Sequence, residues 1–305
     1  MSVTELGMPR MGFFTDTSVC IGCKACEVAC KEWNAIPSGP LELTGESFDN
    51  TSALGANTWR HVAFVEQHVP ADRLPGPGFR ETGDLLGALD GSAAGTVAGS
   101  AAQTVADEGG GDGDLGGVRW LMASDVCKHC THAACLDVCP TGALVRTEFD
   151  TVIVQQDVCN GCGYCVSACP YGVLGQREDD GRVFKCTMCY DRIGQGQEPA
   201  CAKACPTKSI QFGELDDLRE RAARRVADLH ERGLHDARLY GADPGDGVGG
   251  NGAFFLLLDE PEVYGLPPDP VVTTRDLPEM WRHAAVAAAT LLAGLTAAFV
   301  GRTHR

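Results

Sequence analysis

The stretch Cys159-Asn160-Gly161-Cys162-Gly163-Tyr164-Cys165-Val166-Ser167-Ala168-Cys169-Pro170 spaces its cysteines C-x2-C-x2-C-x3-C and sets a proline directly after the last. The same spacing occurs at Cys20, Cys23, Cys26 and Cys30, where Lys31 stands in place of the proline. Cys127, Cys130, Cys135 and Cys139 widen it to C-x2-C-x4-C-x3-C, and Cys186, Cys189, Cys201 and Cys205 to C-x2-C-x11-C-x3-C. Pro140 and Pro206 close these two groups. All 16 cysteines of the chain fall in the four groups.

Disulfide frameworks belong to short secreted chains, and this one has 305 residues. A single C-x2-C pair also suits zinc, but a structural zinc takes two separated pairs, not three cysteines in a run. Runs of C-x2-C-x2-C-x3-C-P are those of bacterial ferredoxins, in which the fourth cysteine ligates the other cluster of a pair. Three cysteines two residues apart line a tight loop around one face of a cubane, while the fourth points from a helix toward a neighbour. The 16 thiolates suffice for four 4Fe–4S clusters, with iron bound through these cysteines alone. Groups two and three, joined by residues 140–158, are expected to share one pair of clusters, and groups one and four to pair across them. The chain therefore reads as an electron wire. The reading of a different class is a zinc-binding structural scaffold or interaction protein.

The net charge of −16, from 41 acidic and 25 basic residues, argues against a nucleic-acid surface and hence against a DNA-binding redox sensor. Lys24, Lys128 and Lys185 lie near cysteine groups and would offset cluster charge, but each is expected to be an ordinary solvated residue. His129 and His132, inside the second group, are likewise expected at the surface rather than as donors beside a cluster. His61 and His68 have no paired nucleophile, and neither a G-x-G-x-x-G nor a P-loop sequence occurs, so no catalytic centre is expected. Met1–Phe14 carries no apolar core of signal-peptide length and no twin arginine.

Secondary structure reads as mixed. Ala143–Val145 and Val152–Val154 flank Asp150 as a hairpin, and His61–Val69 and Phe254–Leu258 read as strands. Leu215, Leu218, Ala222, Val226 and Leu229 mark the buried stripe of a helix stopped by Gly233. Glu81–Gly117 holds 11 glycines and 7 acidic residues without a lysine or arginine, an insertion or long surface loop whose Ala93–Ala106 stretch has helical composition. Gly241–Gly252 separates a helix from a strand. Ala284–Val300 is 17 residues without a charge, 8 of them alanine, flanked by Trp281, Arg282, Arg302 and Arg305. It reads as a membrane span of minimal length or as an Ala-rich helix packed on this protein or a partner.

Several passages resemble the iron–sulfur (beta) subunit of membrane-bound formate dehydrogenases. They are Cys20-Ile21-Gly22-Cys23-Lys24-Ala25-Cys26, Glu32-Trp33-Asn34, Gly161-Cys162-Gly163-Tyr164-Cys165, Lys185-Cys186-Thr187-Met188-Cys189-Tyr190-Asp191-Arg192, Gly196-Gln197-Glu198-Pro199-Ala200-Cys201 and Tyr264-Gly265-Leu266-Pro267. Subunits of hydrogenases, DMSO reductases and polysulfide reductases share the cysteine plan. The resemblance implies an α+β fold of tandem bacterial ferredoxin-like modules, each holding two 4Fe–4S clusters, with a C-terminal hydrophobic transmembrane helix. One module would span 1–80 and 180–240 with groups one and four, the other 118–179 with groups two and three. Residues 81–117 would be the insertion, 241–280 a linker or docking segment, and 281–305 the membrane anchor and tail.

The resemblance also implies cross-ligation. Cys20, Cys23 and Cys26 would join Cys205 at one cluster, and Cys186, Cys189 and Cys201 would join Cys30 at its partner. Cys127, Cys130 and Cys135 would join Cys169, while Cys159, Cys162 and Cys165 would join Cys139. Electrons would pass from a molybdopterin-type catalytic alpha subunit oxidising formate, through this chain, to a membrane cytochrome b gamma subunit and quinone. The globular part would face the extracytoplasmic side, carried there by the catalytic subunit's signal, although some relatives face the cytoplasm.

Overall fold

A computed structural model describes residues 7–39, 45, 48–49, 51–69 and 117–303. The centre is a four-stranded sheet in the order β8-β1-β10-β9. Strand β1 (Met11–Asp16) is buried along almost its whole length, and β10 (Ala253–Leu257) along all of it. Such apolar runs suit a strand covered on both faces. The two pair in parallel, with Phe13 opposite Ala253 and Asp16 opposite Leu256. Strands β8 (Ile210–Glu214) and β9 (Arg238–Tyr240) flank them antiparallel.

One face of the sheet is covered by a helix, Leu215–Glu231. Leu215, Leu218, Ala222 and Leu229 form its buried stripe and pack on Phe14, Phe254 and Leu256; Phe14 and Phe254 stack with centroids 5.3 Å apart. Each of these large side chains contributes roughly 1.5–3 kcal/mol by burial. Gly233 follows at φ +86°, ending the helix in the left-handed conformation that the sequence reserves for it.

The opposite side carries the cysteines. A ten-residue ribbon pairs β2 (Arg60–Val69) with β3 (Gly117–Val126), Arg60 opposite Val126 and Val69 opposite Gly117. The strand expected at His61–Val69 thus begins one residue earlier, and its partner had no counterpart in the sequence reading. Apart from Gly117, at which β3 begins, the expected insertion 81–117 lies outside the described residues, as does the Ala93–Ala106 stretch of helical composition. Two short hairpins follow, β4 (Leu144–Arg146) with β5 (Val152–Val154) and β6 (Gly175–Gln176) with β7 (Val183–Phe184). The first is the expected hairpin, its first strand shifted by one residue and its second as expected. Between the covering helix and β10 the chain also makes β9 before entering Gly241–Gly252, so that glycine-rich stretch joins two strands rather than a helix and a strand.

Among the described residues the α-helices are, in chain order, α1 (Ala25–Trp33), α2 (Ala134–Asp137), α3 (Tyr164–Ala168), α4 (Tyr190–Ile193), α5 (Ala200–Ala204), α6 (the covering helix, Leu215–Glu231) and α7 (Leu277–Thr303). Leu277–Phe299 of α7 is long and apolar enough to cross a membrane, and none of its most apolar stretch is buried against the rest of the chain.

Candidate metal centres

Each cysteine group combines a turn that needs unusual backbone with a short helix. Lys24 at φ +56° precedes α1, which carries Cys26 and Cys30 on its inner side. Gly161 and Gly163, at φ +71° and +76°, lead into α3, which carries Cys165 and ends at Cys169. Cys135 sits on α2 and Cys201 on α5, with Cys205 at the end of α5. Helix α1 packs against α5, which brings the first and last groups together.

The thiols gather in four sets, each mixing two groups. One pocket is lined by Cys20, Cys23, Cys26 and Cys205, together with Val62, Ser124 and Ile210. A second is lined by Cys127, Cys130, Cys135 and Cys169, with His129, Val152 and Tyr171. Cys30 has Cys186, Cys201 and Cys189 as its strongest charged neighbours besides Arg60. Cys165 has Cys139, Cys159 and Cys162.

Electrostatics describe what these sets would hold. Burial pushes the Cys186 and Cys135 thiols up to about 12, with Cys127 opposing ionisation and Lys185 favouring it in both. Burial likewise pushes Cys20, Cys26 and Cys165 up to about 11. Cys139 differs: burial raises it, but the backbone of Leu144 and the Thr141 hydroxyl outweigh that and lower it. Crowded, buried thiolates need positive charge among them, which iron supplies. Among the described residues no three Cys, His, Asp or Glu side chains converge on a point where one metal ion would be held. Zinc needs its sulfurs about 2.3 Å away, and thiols gathered in fours without such a point of convergence fit a multi-iron cluster better than a single zinc ion.

The surroundings depart from the sequence reading. Lys128 and Lys185 are each only 1% exposed and not solvated, while Lys24 is half-buried and pairs with Glu27 at 3.5 Å and Asp49 at 3.3 Å. Lys185 Nζ donates to the Cys186 carbonyl at 2.8 Å and to that of Val152. Lys128 Nζ pairs with Asp125, donates to the Val126 carbonyl at 3.0 Å and lies 5.0 Å from the Phe255 ring centre. His129 is buried rather than at the surface, because β5 closes over it: Nδ1 accepts the Val152 N–H at 3.1 Å. Burial, then the Lys185 and Arg146 charges, hold it well below the ordinary histidine range, so it is neutral. His132 is exposed, as expected.

Three polar residues escaped the sequence reading. Glu27 Oε1 accepts the Val62 N–H at 2.5 Å, tying α1 to the ribbon. Ser124 Oγ stands 3.2 Å from Cys26 Sγ. Arg60 is buried between cysteine groups. An arginine and a serine facing inward on strands carry no local mark; only their place in the alternation of a paired ribbon would have disclosed them.

Comparison with known proteins accords with this architecture. Residues 118–215, covering groups two to four, match the 4Fe-4S dicluster domain, and residues 17–33, covering group one, match a 4Fe-4S binding domain. The chain is 38% identical over 261 residues to the formate dehydrogenase iron-sulfur subunit of Haemophilus influenzae, covering 84% of this chain and 68% of that one. It is 35% identical over 290 residues to the nitrate-inducible formate dehydrogenase iron-sulfur subunit of Escherichia coli, covering 94% and 81%. Against the B subunit of the anaerobic dimethyl sulfoxide reductase of Escherichia coli it is 32% identical over 214 residues, covering 70% and 77%.

Proposed function

Because this chain belongs to the family of formate dehydrogenase iron–sulfur subunits, we propose that its electron transfer begins at a molybdenum- or tungsten-bearing catalytic subunit oxidising formate. It would end at a membrane cytochrome b and quinone. Formate oxidation yields carbon dioxide, a proton and two electrons, and a bound 4Fe–4S cluster takes up and passes one electron at a time. The residues of this chain hold, insulate and tune such clusters.

The observation that carries the proposal is the sorting of 16 cysteines into four mixed sets of four. In this reading Cys20, Cys23, Cys26 and Cys205 hold one cluster and Cys30, Cys186, Cys189 and Cys201 another. Cys127, Cys130, Cys135 and Cys169 hold a third, and Cys139, Cys159, Cys162 and Cys165 a fourth. Residues 1–80 with 180–240 would then form one two-cluster module and 118–179 the other. Helix α7 would anchor the chain beside the cytochrome, with the globular body on the extracytoplasmic side. A dimethyl sulfoxide reductase role is the second reading, favoured by the 32% identity to the B subunit of that enzyme.

The test is EPR on the complex purified anaerobically in mild detergent. Formate alone should bring up reduced 4Fe–4S signals, with about sixteen irons per chain. Signals that need dithionite while the catalytic partner is intact would reject formate as the electron source and favour the second reading.

A further inference from the structure

Arg60 opens β2 and is only 2% exposed, the largest of the fully buried side chains. Its guanidinium lies 5.0 Å from the centre of the Phe13 ring, and Nη1 donates to the Ser124 carbonyl at 3.2 Å and to Ser124 Oγ at 3.0 Å. Nε and Nη2 are buried and find no acceptor among the described residues. The groups whose ionisation would act on it most strongly are the thiols of Cys201, Cys26, Cys186 and Cys30. They come from two different sets: Cys26 from the pocket that Cys20, Cys23 and Cys205 also line, the other three from the set around Cys30. A buried guanidinium with two unused nitrogens requires acceptors close by; no cysteine Sγ accepts from them, so the acceptor left to them is the sulfur of clusters held at these two sites.

Ser124 extends the arrangement. Its Oγ accepts from Arg60, so its single proton is free for Cys26 Sγ, 3.2 Å away, which as a metal-bound thiolate has none to give.

Resting on the function proposed above, we propose that Arg60 is a shared potential-setting residue. Its Nε–H and Nη2–H donate to sulfur at both sites, Ser124 relays its polarisation to the Cys26 thiolate, and the two sites accept electrons more readily as a result. A reduced cluster carries one more negative charge than an oxidised one, so a fixed cation and N–H donors stabilise the reduced form more. Arginine stays protonated at every working pH, so the effect does not vary with pH.

Potentiometric EPR titration of the purified complex tests this, the signal changed in Cys26→Ser identifying the Cys26 site. Arg60→Met should lower the midpoints of two clusters, each by at least tenfold in the one-electron equilibrium, about 59 mV. Arg60→Lys should recover part of the shift, and Ser124→Ala should lower the Cys26-site midpoint alone. Full iron content with both midpoints unmoved in Arg60→Met would overturn the proposal. Should Arg60→Met fail to load iron, Ser124→Ala and Arg60→Lys decide, and unchanged midpoints in both overturn it equally. A wild-type complex without these clusters would instead remove the underlying function.

Discussion

Gly161 shows how narrowly a cysteine loop is drawn. It lies between Cys159 and Cys162 at φ +71°, and a Cβ there would stand 2.2 Å from the Gly181 carbonyl oxygen. Left-handed backbone costs an L residue roughly 1–2 kcal/mol, and an overlap with backbone cannot be relieved by a rotamer. Gly161→Ala should therefore displace this loop and reduce the iron content by about four atoms per chain. Gly39→Ala, where a Cβ meets nothing within 4 Å, should leave iron unchanged, and equal iron in both variants would refute the steric argument. Candidate ligands of this kind were legible in sequence because three of each four are set by spacing along a local loop. The residues around them were not. Lys128, Lys185 and His129 look like solvated polar residues in a charged chain, yet strands brought from elsewhere bury all three. Asp125, the Cys186 carbonyl and the Val152 N–H then meet Lys128 Nζ, Lys185 Nζ and His129 Nδ1.

At the scale of elements, α6 and α7 read differently although both are long helices. The stripe of α6 faces the sheet, and sequence periodicity located both the stripe and its end. Helix α7 has no such partner among the described residues: Leu291, Leu292, Leu295 and Phe299 are all exposed. Its charge-free run suggested 17 residues, but the helix covers 27, from Leu277 to Thr303. Sequence understated it because Glu279 and Arg282 interrupt hydropathy without interrupting helix, and they face each other at 3.4 Å. At about 1.5 Å per residue its length exceeds a hydrocarbon core of about 30 Å, leaving ends for the interfaces. Leu292→Arg places a charge near the middle, at a cost of roughly 2.5–3.5 kcal/mol. In membrane fractions of cells carrying the complex, this subunit should shift into the soluble pool on the order of a hundredfold. Retention equal to wild type would mean that protein contacts, not lipid, hold it.

Across the whole molecule, the buried thiols make iron-free and iron-loaded chains answer pH differently. Burial raises the Cys186 and Cys135 thiols from 9.0 to about 12 and the Cys20, Cys26 and Cys165 thiols to about 11. The folded iron-free chain therefore keeps protons that the unfolded chain releases. That stability is fully present below about pH 9 and is lost as pH rises toward 11 or 12. In the loaded chain the thiolates are neutralised by iron and the alkaline loss should vanish. Urea midpoints of both forms between about pH 7 and 11 check this, and parallel declines would contradict it.

The parallel pairing of β1 with β10 has a consequence in time. The ribosome releases Met11–Asp16 first, yet its neighbour Ala253–Leu257 emerges about 240 residues later, on the order of tens of seconds at ordinary elongation rates. The thiols from Cys127 to Cys169 are all outside the tunnel well before the Cys205 that stands with Cys20, Cys23 and Cys26. On the ligation proposed above, groups two and three are complete while Cys20, Cys23 and Cys26 still lack Cys205. An oxidant pulse during synthesis should strike the N-terminal group before any other.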